Sequence, residues 1–493
     1  MRDRVLPMAL AAALLAGCAT VTNPVTGQRE ITVMDERSEI AEGRKAHEEV
    51  LQDYGVYASP RLQAYVNELG QRLAKQSHRK NLEWHFTVLD SPEVNAFALP
   101  GGYVYVTRGL MAYMESEADL AGVIGHEIGH VTARHGAQRA TRQQTAGLGV
   151  LAATVLGAVL EVKGVSGATD IASTLSQGVA AGYIASYSRD QETQADKLGA
   201  EYLARNNYDP KNMIDVIRVL KSQEQYAADT ARAEGRKPPA GAGWLASHPS
   251  NDKRLQDIAQ FAAQYKGKYG DEGRVRYLQA IDGMTFGESR EQGVTRGRNF
   301  FHEPLGIALT APEGWKVQNS GEAVALVNAA GDAGLIVQVV PPKAGGTPED
   351  IVRNLKLEQG RAERLTLGGF AALHFAGIVR NRQGQAQAVE ATVVAGPARR
   401  HFLLLYGARD ASALQRARGP LREAEGSFRA LTPADAAAAR PWTLKTAPYS
   451  RGAFAELAKR SPLLGNAEAQ LRLLNGVYAG GEPAAGQSIK VVE

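Results

Sequence analysis

The chain has 493 residues, of which 44% are hydrophobic and 22% are charged. This balance is typical of a globular protein and excludes a fibrous or disordered chain, and the length predicts two or three domains. The net charge of +4 is small for this length, so no nucleic-acid partner is expected.

The N-terminus has the pattern of a secretory signal over residues 1–18. Arg2 and Arg4 precede an apolar run of about a dozen residues, which is too short to span a bilayer. The run ends in the letters LAGC, which resemble a bacterial lipobox, in which Cys18 is the lipidated first residue of the mature protein. Alanine after Cys18 favours the outer membrane, by resemblance to sorted lipoproteins. The alternative is a core cysteine, and Cys18 has no disulfide partner because it is the only cysteine.

A polar segment, residues 19–34, follows the signal and is predicted to be a tether. Helical patterning then begins and predicts a mainly α-helical domain over residues 35–285. Ser59 and Pro60 mark one helix start, because a capping serine is followed there by proline at the first helical position.

A small β-sheet and a long helix are predicted within this domain. The segment 82–91 alternates as a strand, and the segment 94–110 predicts two extended stretches joined at a Pro-Gly-Gly turn. The next pattern predicts one helix from about Ser116 to Gln144, with Ser116 as its N-cap. The apolar segment 146–160 contains three glycines and is too short to cross a membrane, so a buried or lid-forming helix is expected.

The long helix carries the letters HEIGH at residues 126–130. Residues four apart lie about 40° apart around a helix axis, so His126 and His130 can bind one metal ion. Glu127 lies about 100° from His126, where it can reach a water on that metal and act as general base. Zinc suits imidazole ligands and an open fourth position. The alternative for so short a motif is a helix with two hydrogen-bonded core histidines.

His135, the third histidine of this stretch, fails the same geometric test. On one continuous helix it lies about 180° from His126 and about 140° from His130. The extended H-E-x-x-H-x-x-G-x-x-H pattern would need glycine and histidine where Ala133 and Gly136 stand. His135 is therefore predicted to lie at the surface or behind the ligands, and the third ligand must come from elsewhere.

The best candidate for the third ligand is Glu192, in the letters RDQETQADKLG. Glu192 and Asp196 lie four apart on a predicted helix and face the same way. Glu192 can then complete the ligand set, while Asp196 accepts the free ring N–H of a ligand histidine. An ordinary solvated acidic face is the alternative.

The motifs HEIGH, ETQAD with Gly199, and SHPSNDKR together resemble the gluzincin family that includes the HtpX-type membrane peptidases and the CAAX prenyl endopeptidase. The BepA-like and LoiP-like lipoprotein branch is most similar, and the resemblance covers roughly residues 35–280. It implies a zinc metallopeptidase with one zinc ion per chain and a glutamate that serves as general base and acid. The residues implied are the ligands His126, His130 and Glu192, the acid and base Glu127, and Asp196 behind the ligands.

The same resemblance adds residues around the metal. It places His248 and Arg254 near the zinc, where His248 would stabilise the oxyanion or cap the fourth position of a resting enzyme. Arg254 would balance the developing negative charge, whereas an ordinary loop histidine is the alternative for His248. The segment 94–102 resembles the family's strand beside the cleft, on which an extended substrate pairs backbone to backbone, unless it is a core hairpin. The substrate-binding candidates are Asn95, Ala96, Phe97, Ala98 and Leu99.

Two further regions follow the predicted peptidase domain. Residues 298–436 predict an α+β module that is weakly similar to PsbP-like domains and has no catalytic cluster. Residues 441–493 predict a strand-helix-helix-strand tail that looks like a divergent LysM module without its GDTL turn. The tail would bind peptidoglycan, or else serve as an interaction or packing module. The predicted fold class of the whole chain is α+β.

These features together predict a zinc metalloendopeptidase of the bacterial envelope. It would lie in the periplasm, anchored to the outer membrane by a lipid on Cys18, and would hydrolyse misfolded or unassembled envelope proteins. The alternative is a periplasmic chaperone or assembly scaffold for outer-membrane proteins with latent protease activity. A third alternative is a cell-wall-binding protein targeted by its tail.

Overall fold

The computed structural model describes residues 19–145, 187–235, 244–248, 252–321, 323–380 and 386–493. These residues form two compact units. The first unit contains the described residues up to 145, from 187 to 287 and from 442 to 493, and the second contains those from 288 to 441. Helices and sheets occur together, which confirms the predicted α+β class. The signal with Cys18 and the apolar segment 146–160 lie outside the described residues.

α-Helices occur in both units. In chain order they are α1 (Glu36–Tyr54), α2 (Pro60–Lys75), α3 (Arg108–Tyr113), α4 (Glu117–Thr132), α5 (His135–Thr145), α6 (Arg189–Arg205), α7 (Asn212–Ala233), α8 (Trp244–Ser247), α9 (Asp252–Gln264), α10 (Arg274–Ile281), α11 (Pro348–Asn354), α12 (Ala411–Gly426), α13 (Pro433–Ala438), α14 (Phe454–Arg460) and α15 (Ala467–Leu474). In the part of the chain that is described, none of them has both the length and the apolar character needed to cross a membrane.

The strands form five small sheets among the described residues. In chain order the strands are β1 (Ala19–Thr22), β2 (Arg29–Thr32), β3 (His85–Leu89), β4 (Ala96–Leu99), β5 (Tyr103–Thr107), β6 (Thr285–Phe286), β7 (Val294–Arg296), β8 (Asn299–His302), β9 (Ile307–Thr310), β10 (Lys316–Asn319), β11 (Val324–Val327), β12 (Ala333–Val340), β13 (Glu358–Leu367), β14 (Phe370–Arg380), β15 (Ala386–Ala395), β16 (His401–Ala408), β17 (Arg429–Ala430), β18 (Trp442–Pro448) and β19 (Ser488–Val492).

Residues 19–34 form a packed hairpin where the polar composition predicted a tether. β1 and β2 pair antiparallel, because both short segments alternate polar and apolar residues around a turn. In that turn, Asn23 donates from Nδ2 to the backbone oxygen of Ala133 at 3.1 Å. Thr32 Oγ1 lies 3.1 Å from Thr141 Oγ1 in α5. The hairpin is thereby held against the helices of the first unit.

A three-stranded sheet of the first unit has the strand order β3-β5-β4, with β3 parallel and β4 antiparallel to β5. The turn between β4 and β5 needs its glycines, because Gly101 and Gly102 have φ values of 81° and 99°. β4 lies at an edge of this sheet, and all four of its residues are buried. α2 packs on β3 so closely that a Cβ at Gly70 would lie 2.3 Å from the ring of Phe86.

The C-terminal tail has the predicted strand-helix-helix-strand order and belongs to the first unit. β18 pairs with β19 and also with β6, and the tail contributes apolar side chains to the main core. Lys490 on β19 is fully buried and donates to the carbonyl oxygens of Ala112 and Met114 at 2.9 and 2.7 Å. Its Nζ also lies 2.8 Å from Glu115 Oε1. The tail therefore fixes the chain that leads into α4.

The second unit is built on a seven-stranded antiparallel sheet with the order β10-β11-β12-β16-β15-β14-β13. α12 packs on this sheet, and a four-stranded sheet with the order β17-β9-β8-β7 completes the unit. Two buried carboxylates at the sheet accept hydrogen bonds from neighbouring side chains. Arg418 donates to Glu390 at 2.6 Å, and Tyr406 donates to Glu425 at 2.9 Å.

Candidate metal centre

The HEIGH letters lie on α4, every residue of which is buried. The predicted N-cap is confirmed, since Ser116 accepts the backbone N–H of Asp119 and the Asp119 carboxylate accepts the backbone N–H of Ser116. Helical periodicity places His126 and His130 on one face, with their Nε2 atoms 3.0 Å apart. Burial and the neighbouring histidines, first among them His126, hold the pKa of His130 well below 6.5, so its imidazole is neutral.

α6 packs closely on α4 through small residues. A Cβ on Gly125 would lie 3.5 Å from Gly199, and a Cβ on Gly199 would lie 3.2 Å from the backbone nitrogen of His126. This approach brings Glu192 of α6 to the histidines. Its Oε1 lies 3.5 Å from His130 Nε2, and its Oε2 lies 3.6 Å from His126 Nε2.

His248 brings a fourth potential ligand to this group. Ligand atoms of His126, His130, Glu192 and His248 all lie within 4.8 Å of one another, and all four residues are buried. Ligand atoms about 2.1 Å from a tetrahedral zinc ion are about 3.4 Å apart. The separations of 3.0, 3.5 and 3.6 Å between the two ring nitrogens and the Glu192 oxygens are close to that value. The donor set therefore fits a zinc-sized ion.

His126 and His130 on α4 each have a partner at Nδ1, the ring nitrogen that does not face Glu192. His126 Nδ1 lies 3.0 Å from Asp196 Oδ1, so a proton on Nδ1 leaves Nε2 free as a ligand. His130 Nδ1 lies 2.9 Å from His135 Nδ1, while His135 Nε2 lies 2.9 Å from Gln194 Oε1. His135 can thus donate to Gln194 and accept from His130, which leaves His130 Nε2 free as a ligand as well.

His135 lies behind His130, which is one of the two positions predicted for it, but helix geometry is not what puts it there. The expected single helix ends at Thr132, and α5 starts at His135. Arg134 between them has a φ of 60°, so the chain turns sharply and the angle of one continuous helix does not apply. His135 is fully buried, and burial lowers its pKa to about 4.

Arg254 joins the acidic residues of α6 to the loop that carries His248. Its guanidinium donates to both carboxylate oxygens of Asp196, at 2.6 and 2.8 Å, and to the backbone oxygen of His248 at 2.9 Å. Its Nη1 also lies 3.1 Å from Glu192 Oε2. Burial raises the pKa of Asp196, but Arg254 outweighs burial and holds that pKa at about 2.

The charge of His248 is set by two opposing effects. Burial alone would lower its pKa, but the carboxylates of Glu192 and Glu127 raise it above 6.5. His248 Nδ1 lies 3.0 Å from Glu192 Oε1, and Nε2 lies 3.5 Å from Glu127 Oε1. His248 therefore occupies the position between the predicted base and the predicted third ligand.

Two aromatic residues at the centre were not singled out from the sequence. Tyr187 stacks on the ring of His130, with centroids 3.9 Å apart. Trp244 stacks on His248 at 4.5 Å and donates from Nε1 to Glu127 Oε1 at 3.0 Å. Trp244 is the last residue of a segment with the composition of a loop, and no periodic pattern in the sequence predicts its contact with α4. The letters W-x-x-x-H, with one helical turn between aromatic and histidine, are the only sequence signal.

The predicted substrate-binding residues are close to the same loop. β4 contains Ala96–Leu99, and Asn95 precedes it with a buried Oδ1 that has no hydrogen-bond partner among the described residues. The backbone N–H of Trp244 donates to the oxygen of Val94 at 2.7 Å. The edge of the sheet and the Glu127 side of the centre are therefore adjacent.

Comparisons with known proteins give a family for this part of the chain. Residues 60–262 match the model of peptidase family M48. The beta-barrel assembly-enhancing protease of Yersinia pestis is 30% identical over 255 residues, which are 47% of this chain and 49% of that protein. The mitochondrial metalloendopeptidase OMA1 of Schizosaccharomyces pombe is 28% identical over 255 residues, which are 50% of this chain and 68% of that protein.

A solved structure, the PsbP protein of the cyanobacterium Synechocystis, covers 28% of this chain and 93% of its own at 16% identity and a TM-score of 0.20. That score supports no fold assignment. The chain spans about half the length of the beta-barrel assembly-enhancing proteases it matches. The share is 49% for the protein of Yersinia pestis and 40% for that of Escherichia coli. The matched segment, residues 60–262, includes HEIGH, Glu192 and His248, and its similarity to peptidase family M48 confirms the resemblance inferred from these motifs.

Proposed function

We propose that this protein is a zinc-dependent endopeptidase of the bacterial cell envelope. The observation that carries the proposal is the buried group of His126, His130, Glu192 and His248, with Glu127 beside it. His126, His130 and Glu192 would hold one zinc ion, and Asp196 would orient His126. A bound zinc ion would polarise the scissile carbonyl and acidify a water molecule.

The chain's own residues would then move the proton. Glu127 would take the proton of the attacking water and deliver it to the nitrogen of the leaving amine. Glu127 Oε2 is buried and has no hydrogen-bond partner among the described residues, so it is available for that proton. Despite its burial, His248 has a pKa raised above 6.5 by Glu192 and Glu127, and the guanidinium of Arg254 is positively charged. Both side chains would balance the negative charge that develops on the carbonyl oxygen.

The substrate would be an extended polypeptide. Asn95, Ala96, Phe97, Ala98 and Leu99 lie at a sheet edge adjacent to the centre, which suits backbone pairing with an unfolded chain. The names of the relatives support envelope proteins as the substrate class, since one of them is called a beta-barrel assembly-enhancing protease. We further propose a periplasmic location, with a lipid on Cys18 as the outer-membrane anchor.

The test is casein cleavage together with zinc content, measured on the chain without its signal. Wild type is expected to bind one zinc ion and to cleave casein. Glu127→Gln should keep the zinc and lose cleavage, because the general base is removed but the ligands remain. Glu192→Ala should lose the zinc. Normal cleavage by Glu127→Gln would contradict the mechanism, and stoichiometric zinc in Glu192→Ala would remove that residue from the ligand set.

A chaperone or assembly scaffold with latent protease activity is the second candidate function. The position of His248 favours this candidate. Its ring nitrogen lies within 4.8 Å of the ligand atoms of His126, His130 and Glu192, so His248 could occupy the fourth metal position and keep water away from it. If wild type binds zinc and suppresses aggregation but does not cleave casein, the scaffold is the better description. Peptidoglycan binding by residues 441–493 is tested separately, by cosedimentation of the whole chain with purified peptidoglycan.

A further inference from the structure

Trp244 lies between the loop of His248 and the proposed base. Its side chain is 1% exposed, and its indole Nε1 donates to Glu127 Oε1 at 3.0 Å. The indole ring stacks on His248 with centroids 4.5 Å apart and lies edge-on to His126 at 5.0 Å. The guanidinium of Arg254 lies over the same ring at 5.3 Å. Trp244 is thus packed against three side chains of the centre.

The two oxygens of Glu127 are in different situations. Oε1 accepts the indole N–H, and His248 Nε2 lies 3.5 Å from it. Oε2 is buried and has no hydrogen-bond partner in the part of the chain that is described. A hydrogen bond to one oxygen restricts the rotation of a carboxylate, so it favours one direction for the other oxygen.

We infer that Trp244 is a positioning residue for the peptidase reaction, which orients Glu127 through Oε1 and leaves Oε2 to move the proton. This inference rests on the proposed function, because it assigns a role within the same reaction. The backbone of Trp244 is itself fixed, since its N–H donates to the oxygen of Val94 at 2.7 Å, one residue before Asn95. This hydrogen bond therefore fixes the position of the indole relative to the sheet on which the substrate is proposed to pair.

The chain contains a matched control for the loss of a buried indole bond. Trp84 is 5% exposed, and its Nε1 donates to the backbone oxygen of Arg79 at 3.1 Å. Trp84→Phe and Trp244→Phe each replace an indole by a benzene ring in the first unit and remove one N–H donor. Only Trp244→Phe removes a donor to Glu127.

The first measurement is steady-state cleavage of a fluorogenic peptide by zinc-loaded wild type, Trp244→Phe and Trp84→Phe. We expect Trp244→Phe to lower kcat about tenfold with little change in KM, because orientation of the base acts in the chemical step. Trp84→Phe should keep the wild-type kcat. A kcat for Trp244→Phe equal to that of Trp84→Phe, or above that of wild type, would overturn the inference.

The second measurement needs no activity and no metal. In metal-free protein labelled with ¹⁵N-indole tryptophan, the signal of the Trp244 side-chain N–H should move when Glu127 is changed to Gln, because a charged acceptor becomes neutral. The Trp84 signal should stay in place. An unmoved Trp244 signal would overturn the inference, even if Trp244→Phe fails to fold. If wild type itself does not cleave the peptide, the proposed function fails and kcat cannot be compared. The indole signal then still tests the contact between Trp244 and Glu127.

Discussion

Replacing His135 by phenylalanine is expected to weaken zinc binding without removing any ligand. In the wild type, His130 Nδ1 lies 2.9 Å from His135 Nδ1, and both residues are buried. Phenylalanine fills similar space but accepts no hydrogen bond. The proton of His130 then has no acceptor at Nδ1, and the tautomer that presents Nε2 to the metal loses its stabilisation.

The magnitude follows from the burial of this pair. Loss of the partner behind a metal-binding histidine typically costs about 10- to 100-fold in affinity, which is about 1.4 to 2.7 kcal/mol. We expect a value in this range because His130 is 1% exposed and water cannot replace the lost acceptor. His135→Asn should recover much of the affinity, since the Asn oxygen can take the place of the ring Nδ1.

The assay is titration of metal-free protein with zinc in competition with a fluorescent chelator. His85→Phe is the control, because His85 on β3 has a side chain that is 39% exposed and contacts neither His130 nor α5 in the described structure. The reasoning is refuted if His135→Phe binds zinc as tightly as wild type, or if His135→Asn is no better than His135→Phe.

Three further changes test the packing around the centre and the second unit. Gly199→Ala should lower the stability of the first unit by about 1–3 kcal/mol and weaken zinc binding, because its Cβ would lie 3.2 Å from His126 N and push α6 away from α4. Gly426→Ala at the end of α12, with no atom within 4 Å of its Cβ, should be neutral or stabilising in urea denaturation. Lys490→Met should destabilise the first unit by about 3 kcal/mol in the same assay, because the buried oxygens of Ala112, Met114 and Glu115 lose the cation that they contact. A variant as stable as wild type would contradict this. His302 has a pKa lowered by burial to about 4, so the unfolded chain binds its proton first, and the second unit should lose up to about 3 kcal/mol as pH falls from 6.5 to 4. His302→Asn should flatten this pH dependence, and an unchanged slope would exclude His302 as its source.

Local periodicity was enough to predict part of the centre. His126 and His130, and likewise Glu192 and Asp196, each lie four residues apart on one helix, and the structure brings the two pairs together. Such spacing fixes side-chain direction whatever the rest of the fold does. Gly199 contributes in the same way, because a missing side chain on α6 permits the close approach to α4.

Contacts that depend on a break in a helix, or on segments far apart in the sequence, could not be predicted from local periodicity. The position of His135 follows from the left-handed conformation of Arg134, which no helical period encodes. Trp244 reaches Glu127 from a segment 117 residues away in sequence. Lys490 reaches Ala112 and Met114 across more than 370 residues, which makes a tail that looked separate part of the first unit.

The hydrogen bonds behind the ligands connect the centre to three different segments of the chain. His126 is oriented from α6 through Asp196, and His130 is oriented from the start of α5 through His135. Arg254 donates both to Asp196 and to the backbone oxygen of His248, so it links the loop that carries His248 to the residue that orients His126. Movement of that loop away from the ligands would therefore cost Arg254 one hydrogen bond while its two bonds to Asp196 persist. A loop held in this way can leave the metal position while the orientation of His126 is preserved, because Asp196 stays fixed by α6 and by the guanidinium.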